Sequence, residues 1–114
     1  MNACGAGLLA HYADDAVRMP PNGPTYSGKA AIEEAFTSFF EQFSGVLDWP
    51  TDEIIVAGDW AFHRGTFTAD LTPLGEGEVM RVGGEVLVIF QRQRDGSWKA
   101  AREIWIDDEA PGTD

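Results

Sequence analysis

Hydrophobic and polar residues alternate along this chain with two different periods, and the switch between them divides it into a helical part and a strand part. Leu8, Leu9 and Tyr12 fall at helical spacing, and Asp14-Asp15 then closes that pattern, so a short helix over Leu8–Tyr12 is expected, with a helix-end turn and an extended Ala16–Met19 after it. Pro20-Pro21-Asn22-Gly23-Pro24 is a turn cluster, because Pro presets φ and Gly supplies positive φ. From Lys29 to Phe43, Ile32, Ala35, Phe36, Phe39, Phe40 and Phe43 recur every three or four residues opposite Glu33, Glu34, Ser38, Glu41 and Gln42. That is an amphipathic helix with an aromatic stripe, capped by Ser27 and ended by Gly45.

Beyond Gly45 the period becomes two. Strands are expected at Val46–Ala57, Trp60–Thr72, Val79–Arg94 and Ser97–Asp107, separated by Gly58-Asp59, the Gly75/Gly77 loop and the hairpin pair Asp95-Gly96. Tight connections make these an antiparallel meander with the helices on one face. Gly83-Gly84 within the third strand suggests a bulge that bends the sheet.

Taking parity along each strand, the odd positions combine small residues (Ala61, Gly65, Ala69, Ala101) with His63, Glu85 and Glu103 and with Phe67, Leu87 and Trp105. Small residues leave room and isolated polar groups anchor, so this list is expected to line an internal pocket. The even positions carry Phe62, Arg64, Val88, Phe90, Arg92, Arg102 and Ile104, a mixture of arginines and apolar groups suited to an interface. Both faces are too apolar for water. A second copy of the sheet would cover the even one, which predicts a two-fold dimer.

Composition then removes several function classes. The chain has 114 residues and a net charge of −11, the size of one domain spanning 1–114 and a charge that repels phosphate backbones and anionic membrane surfaces. Nucleic acid and membranes are therefore not expected partners. The lone Cys4 cannot pair within the chain and no basic-then-apolar leader precedes it, so a reducing cytoplasm is the expected setting. His11 and His63 are far apart and show no metal-ligand spacing, and phosphate-loop and dinucleotide patterns are missing, so no cofactor is expected.

Tyr12-Ala13-Asp14-Asp15-Ala16-Val17, Met19-Pro20-Pro21-Asn22-Gly23-Pro24 and Ser27-Gly28-Lys29-Ala30-Ala31-Ile32, followed by Gly58-Asp59-Trp60-Ala61, Gly65-Thr66-Phe67 and Asp95-Gly96-Ser97-Trp98-Lys99 leading into Arg102-Glu103-Ile104-Trp105, resemble one family. It is the SnoaL-like and ketosteroid-isomerase-like branch of the nuclear transport factor 2-like superfamily. The resemblance implies an α+β, cone-shaped fold in which a curved antiparallel or mixed β-sheet wraps an amphipathic helix around an internal pocket, here with a shortened first helix. It also implies a homodimer through the sheet. Reaction does not follow from fold, because this superfamily holds isomerases, cyclases, dehydratases, hydrolases and non-catalytic assembly domains.

In the isomerases a carboxylate base follows the segment resembling Tyr12–Asp15, where this chain has Met19 and Pro20; neither takes a proton, so ketosteroid-isomerase activity itself is not expected. Glu85 aligns with the isomerases' protonated acid. The chemistry left is acid/base work by His63 with Glu85 on a small apolar or aromatic ligand, inside walls of Tyr12, Met19, Phe36, Phe40, Phe67, Leu87, Glu103 and Trp105. Isomerase, cyclase and hydrolase-like reactions are open. The alternative is a non-catalytic dimeric binding or assembly module with a vestigial pocket, and packing alone accounts equally for a lone histidine and an aromatic stripe.

Overall fold

A computed structural model describes residues 9–75 and 77–108. From Tyr12 to Asp107 these residues form one helix and seven strands that follow the turn cluster and the period switch closely: β1 (Tyr12–Met19), β2 (Tyr26–Ser27), α1 (Lys29–Gln42), β3 (Phe43–Asp48), β4 (Thr51–Ala57), β5 (Trp60–Pro73), β6 (Met80–Arg92) and β7 (Trp98–Asp107). They form one curved, open, mixed sheet in the order β2-β1-β7-β6-β5-β3, with β4 also on β5. All pairings are antiparallel except β1 with β7. The α+β fold expected from the sequence is the fold observed.

Of the expected first helix over Leu8–Tyr12, Leu8 lies outside the described residues, as does Cys4; Leu9 is helical, and Ala10 and His11 form a turn. Tyr12 opens β1 instead of ending a helix, and Asp14-Asp15 sits inside that strand. The burial of Tyr12, Ala13 and Ala16 around the exposed aspartates breaks simple alternation, and the register against β7 shifts between Tyr12 and Val17. Ser27 does not cap α1: it pairs with Val17, and Gly28 takes the cap position at φ 92° with its N–H donated to the Ala16 carbonyl at 2.7 Å. Positive φ there explains a glycine.

The aromatic stripe works as expected. Ile32 and Phe36 of α1 are buried in a core with Tyr12, Ala16, Val86, Val88 and Ala100, and Phe40, Phe67, Phe90 and Trp105 pack against it. At the end of α1, Phe43 turns directly into β3; Gly45 is a strand residue, not a terminator.

Three strand expectations change. The single strand over Val46–Ala57 is two, β3 and β4, lying in succession along one edge of β5. Pro50 has no N–H for the ladder, so pairing stops at Trp49-Pro50, where the Pro50 carbonyl accepts the Thr66 N–H at 3.3 Å. Gly83-Gly84 carries no bulge; β5 and β6 pair without interruption there. Gly84 is needed for close approach, because a Cβ would collide with the Ile106 carbonyl group. The irregularity lies further on, between Ile89 and Phe90 opposite β7, where Ile89 pairs with Arg102 and Phe90 with Ala100. The Asp95-Gly96 hairpin forms as expected, with Gly96 at φ 89° and the Asp95 carboxylate accepting from the backbone and hydroxyl of Ser97.

Candidate functional site

Directly opposed residues of an antiparallel pair share a face. His63 opposes Val88, which opposes Glu103, and Gly65 opposes Val86, which opposes Trp105. Odd residues of β5, and odd residues of β7 from Glu103 on, therefore share the helix-covered face with even residues of β6. Grouping all odd positions together is the error in the parity reading, since parity holds within one strand and register decides it between strands.

Three candidate pocket or catalytic residues are off the inner face. Glu85 and Leu87 oppose Thr66 and Arg64 on the outer face, and Glu85 lies 4.0 Å from the Arg64 guanidinium. Met19 pairs with Ile104 on that outer side too. In exchange, Val88 and Phe90, expected at an interface, face inward, Val88 with 1% exposure. Arg92 is held at the strand end by Asp59 at 2.6 Å, over the Trp98 ring. Phe62, Arg64, Arg102 and Ile104 are exposed on the outer face.

His63 has no carboxylate partner among the described residues. Its Nε2 lies 2.8 Å from Thr51 Oγ1, and its ring stacks on Trp49 at 5.0 Å and faces Phe90 at 6.0 Å. The His63–Glu85 pair is not formed, because the two point to opposite sides of the sheet.

The other expected pocket residues do converge. Tyr12 donates its hydroxyl to Glu103 Oε1, and Arg18 Nε donates to the same oxygen at 3.1 Å. The Arg18 guanidinium is held between two rings, 4.7 Å from the Phe36 centroid and 4.4 Å from that of Trp105. Tyr12 meets Phe36 edge-on at 5.9 Å, and Phe40 extends the aromatic wall. Cation–π contact of a partly desolvated guanidinium and offset aromatic packing both favour this arrangement. Side-chain exposure is 19% for Arg18 and 12% for Glu103. Burial, then the Glu103 charge, pushes the Tyr12 phenol well above its ordinary range, with Arg18 opposing in part. Tyr12 is thus a neutral donor at physiological pH.

Arg18 is the residue that sequence reasoning missed. It sits in the segment read for a missing base, but attention fell on Met19 and Pro20; strand alternation from Ala16 would have turned Arg18 inward and Met19 outward. Among the described residues, the Arg18 Nη atoms and Glu103 Oε2 have no hydrogen-bond partner. A neutral hydroxyl, a fixed cation and a carboxylate together can orient an oxygen-bearing ligand, steady negative charge on it and accept a proton.

Two shallow clefts lie elsewhere: one of about 240 Å³ on the sheet near Arg64, Leu87 and Ile104, the other along the exposed flank of α1 near Glu34 and Ser38. No group of three or more His, Cys, Asp or Glu among the described residues is placed to hold a metal ion. No described helix is long and apolar enough to cross a membrane.

The SnoaL-like domain family matches residues 2–101. The chain belongs to the SnoaL-like family. Among solved structures, this SnoaL-like chain is similar to a ketosteroid isomerase-like protein from Erwinia carotovora atroseptica, with 27% identity over 93% of this chain and 82% of the other and a TM-score of 0.85. A nuclear transport factor 2-like superfamily protein from Salmonella enterica serovar Typhimurium (18% identity, 89% and 73% covered, TM-score 0.76) and ActVI-ORFA from Streptomyces coelicolor (15%, 94% and 84%, 0.76) share its fold. No curated protein matches the chain.

Proposed function

We propose that this SnoaL-like domain binds a small, planar, oxygen-bearing aromatic molecule on the inner face of its sheet. The observation that carries this reading is the Tyr12–Glu103–Arg18 cluster, a half-hidden ion pair with uncommitted Nη and Oε2 atoms between aromatic rings. Removing charges from water is costly, and well-packed apolar residues often serve stability equally well, so stability alone is a poor reason for such a pair. If the domain is catalytic, Glu103 is its base and Tyr12 with Arg18 its charge-stabilising groups, in place of His63 and Glu85. A carboxylate in that role supports proton transfers of the isomerase, cyclase or dehydratase kind.

The test is calorimetric titration of 2-naphthoate and 2-naphthol into the protein and its Arg18→Gln variant. Loss of a charge-assisted hydrogen bond should weaken binding about tenfold or more, with the circular dichroism spectrum unchanged. Equal affinity for both proteins, or no binding to either, refutes the reading.

The outer face supports a homodimer through the sheet as the accompanying assembly. Trp60, Phe62, Leu87, Ile104 and Ile106 are 37–59% exposed there, and large exposed apolar patches mark interaction surfaces. A second reading, a non-catalytic dimeric module, is favoured by a different observation: Trp49, Phe67 and Phe90 pack into the inner face.

A further inference from the structure

Trp49 stands where the edge of the sheet breaks, and three features of its surroundings are at odds with a purely structural core residue. Its indole Nε1 is the one buried side-chain nitrogen or oxygen without a hydrogen-bond partner among the described residues. The N–H edge is pressed against Gly65, where a Cβ would collide with Nε1 and would stand 2.8 Å from the Pro50 carbonyl oxygen. Gly65 is therefore a notch cut for this indole. The ladder is also interrupted at the indole's own segment: Asp48 pairs with Thr68 and Thr51 with Gly65, but Pro50 between them gives no N–H, and the tie there is the 3.3 Å bond from the Thr66 N–H to the Pro50 carbonyl. Stacking on His63 at 5.0 Å favours the seated position, while the unpaired donor opposes it.

The ground beneath the indole leads to the polar cluster. Gly65 opposes Val86 and Val86 opposes Trp105, whose ring carries Arg18. Two strand spacings, ~10 Å, thus separate the notch from the Trp105 backbone, the length of a two-ring aromatic molecule. We propose that Trp49 is a movable plug of the inner-face site, leaving the Gly65 notch about the Trp49-Pro50 break to open the ground between His63 and Trp105 to a ligand, and finding a partner for its N–H as it leaves. The purpose of the opening rests on the small-molecule reading above; the motion itself does not.

Indole hydrogen exchange in the intact protein tests the motion. Trp49 gives one of four indole N–H resonances, since the chain has four Trp, and its loss in Trp49→Phe identifies it. The expected result is exchange at least a hundredfold faster than that of the Val88 amide, which lies at the centre of the sheet. Exchange only at the rate of the Val88 amide overturns the plug. Gly65→Ala provides the second arm: the added methyl fills the notch, so the Trp49 resonance should move to the position of an exposed indole while the other three stay. Binding of the dye 8-anilinonaphthalene-1-sulfonate should then tighten about fivefold. An unmoved Trp49 resonance in a folded Gly65→Ala protein refutes the plug. A displaced indole with unchanged dye affinity leaves the plug standing and counts against the small-molecule reading.

Discussion

Replacing Tyr12 by Phe removes one oxygen atom and should change how stability depends on pH, not only how large it is. Tyr12 is 8% exposed and donates to Glu103, so at pH 7 the variant loses a hydrogen bond to a charged acceptor, worth about 1.5–3 kcal/mol, while Glu103 keeps Arg18. The phenol is raised above its ordinary value of 10.0, chiefly by burial. The folded protein thus holds that proton more tightly than the unfolded chain. The stabilisation from this group is complete below the unfolded value and is lost as pH climbs through the higher folded one. Above pH ~10 the wild type loses about 1.4 kcal/mol per pH unit through Tyr12, and the Phe variant loses none from this position. Urea unfolding of the two proteins followed by circular dichroism at pH 7, 9, 10, 11 and 11.5 should show a midpoint gap of about 1 M that is constant to pH ~10 and closes within about two units above it. A gap that stays constant through pH 11.5 would refute the argument, as would one below about 0.5 kcal/mol at pH 7.

Two further outcomes follow from packing. Gly84→Ala should destabilise the fold by about 1–3 kcal/mol or more, since the new methyl meets the backbone carbonyl of Ile106 and not a side chain that can turn away; a thermal melt unchanged from wild type would show that β6 and β7 part easily there. Phe62→Glu on the outer face should convert a dimer to a monomer in light scattering while leaving the circular dichroism spectrum intact, and a wild type that already scatters as a 12.4 kDa particle would remove the dimer.

Much of the architecture was legible because each signal was local. The helical stripe from Ile32 to Phe43, the proline turn after Met19, and the glycine turns at Gly58 and Gly96 are fixed by residues within a few positions of one another. What escaped was non-local. Nothing near Glu85 reveals whether it shares a face with His63; that depends on where β6 slides against β5. Gly83-Gly84 looked like a bulge because glycine in a strand has two uses, and here a neighbouring backbone demanded the space. Six candidate pocket residues, Tyr12, Phe36, Phe40, Phe67, Glu103 and Trp105, still share the inner side, because α1 and the odd positions of β5 and β7 were assigned to one face correctly. Arg18 was hidden by a turn signal next door.

The irregular step between Ile89 and Phe90 has a consequence for how a domain of this shape could diversify. Because the partner of β6 skips one residue there, Ala100 and Glu103 both face the helix although they are three apart. Plain alternation from Ala100 with Ala101 kept would exchange the two sides downstream, turning Arg102 and Ile104 inward and Glu103 and Trp105 outward, whereas deleting Ala101 would restore plain alternation with both sides as they are. A one-residue slip of β7 past this point would therefore replace the inward-facing Glu103 and Trp105 in a single event, without one amino-acid substitution. In a sheet built this way, the number of residues across the bulge is as much a determinant of chemistry as their identity.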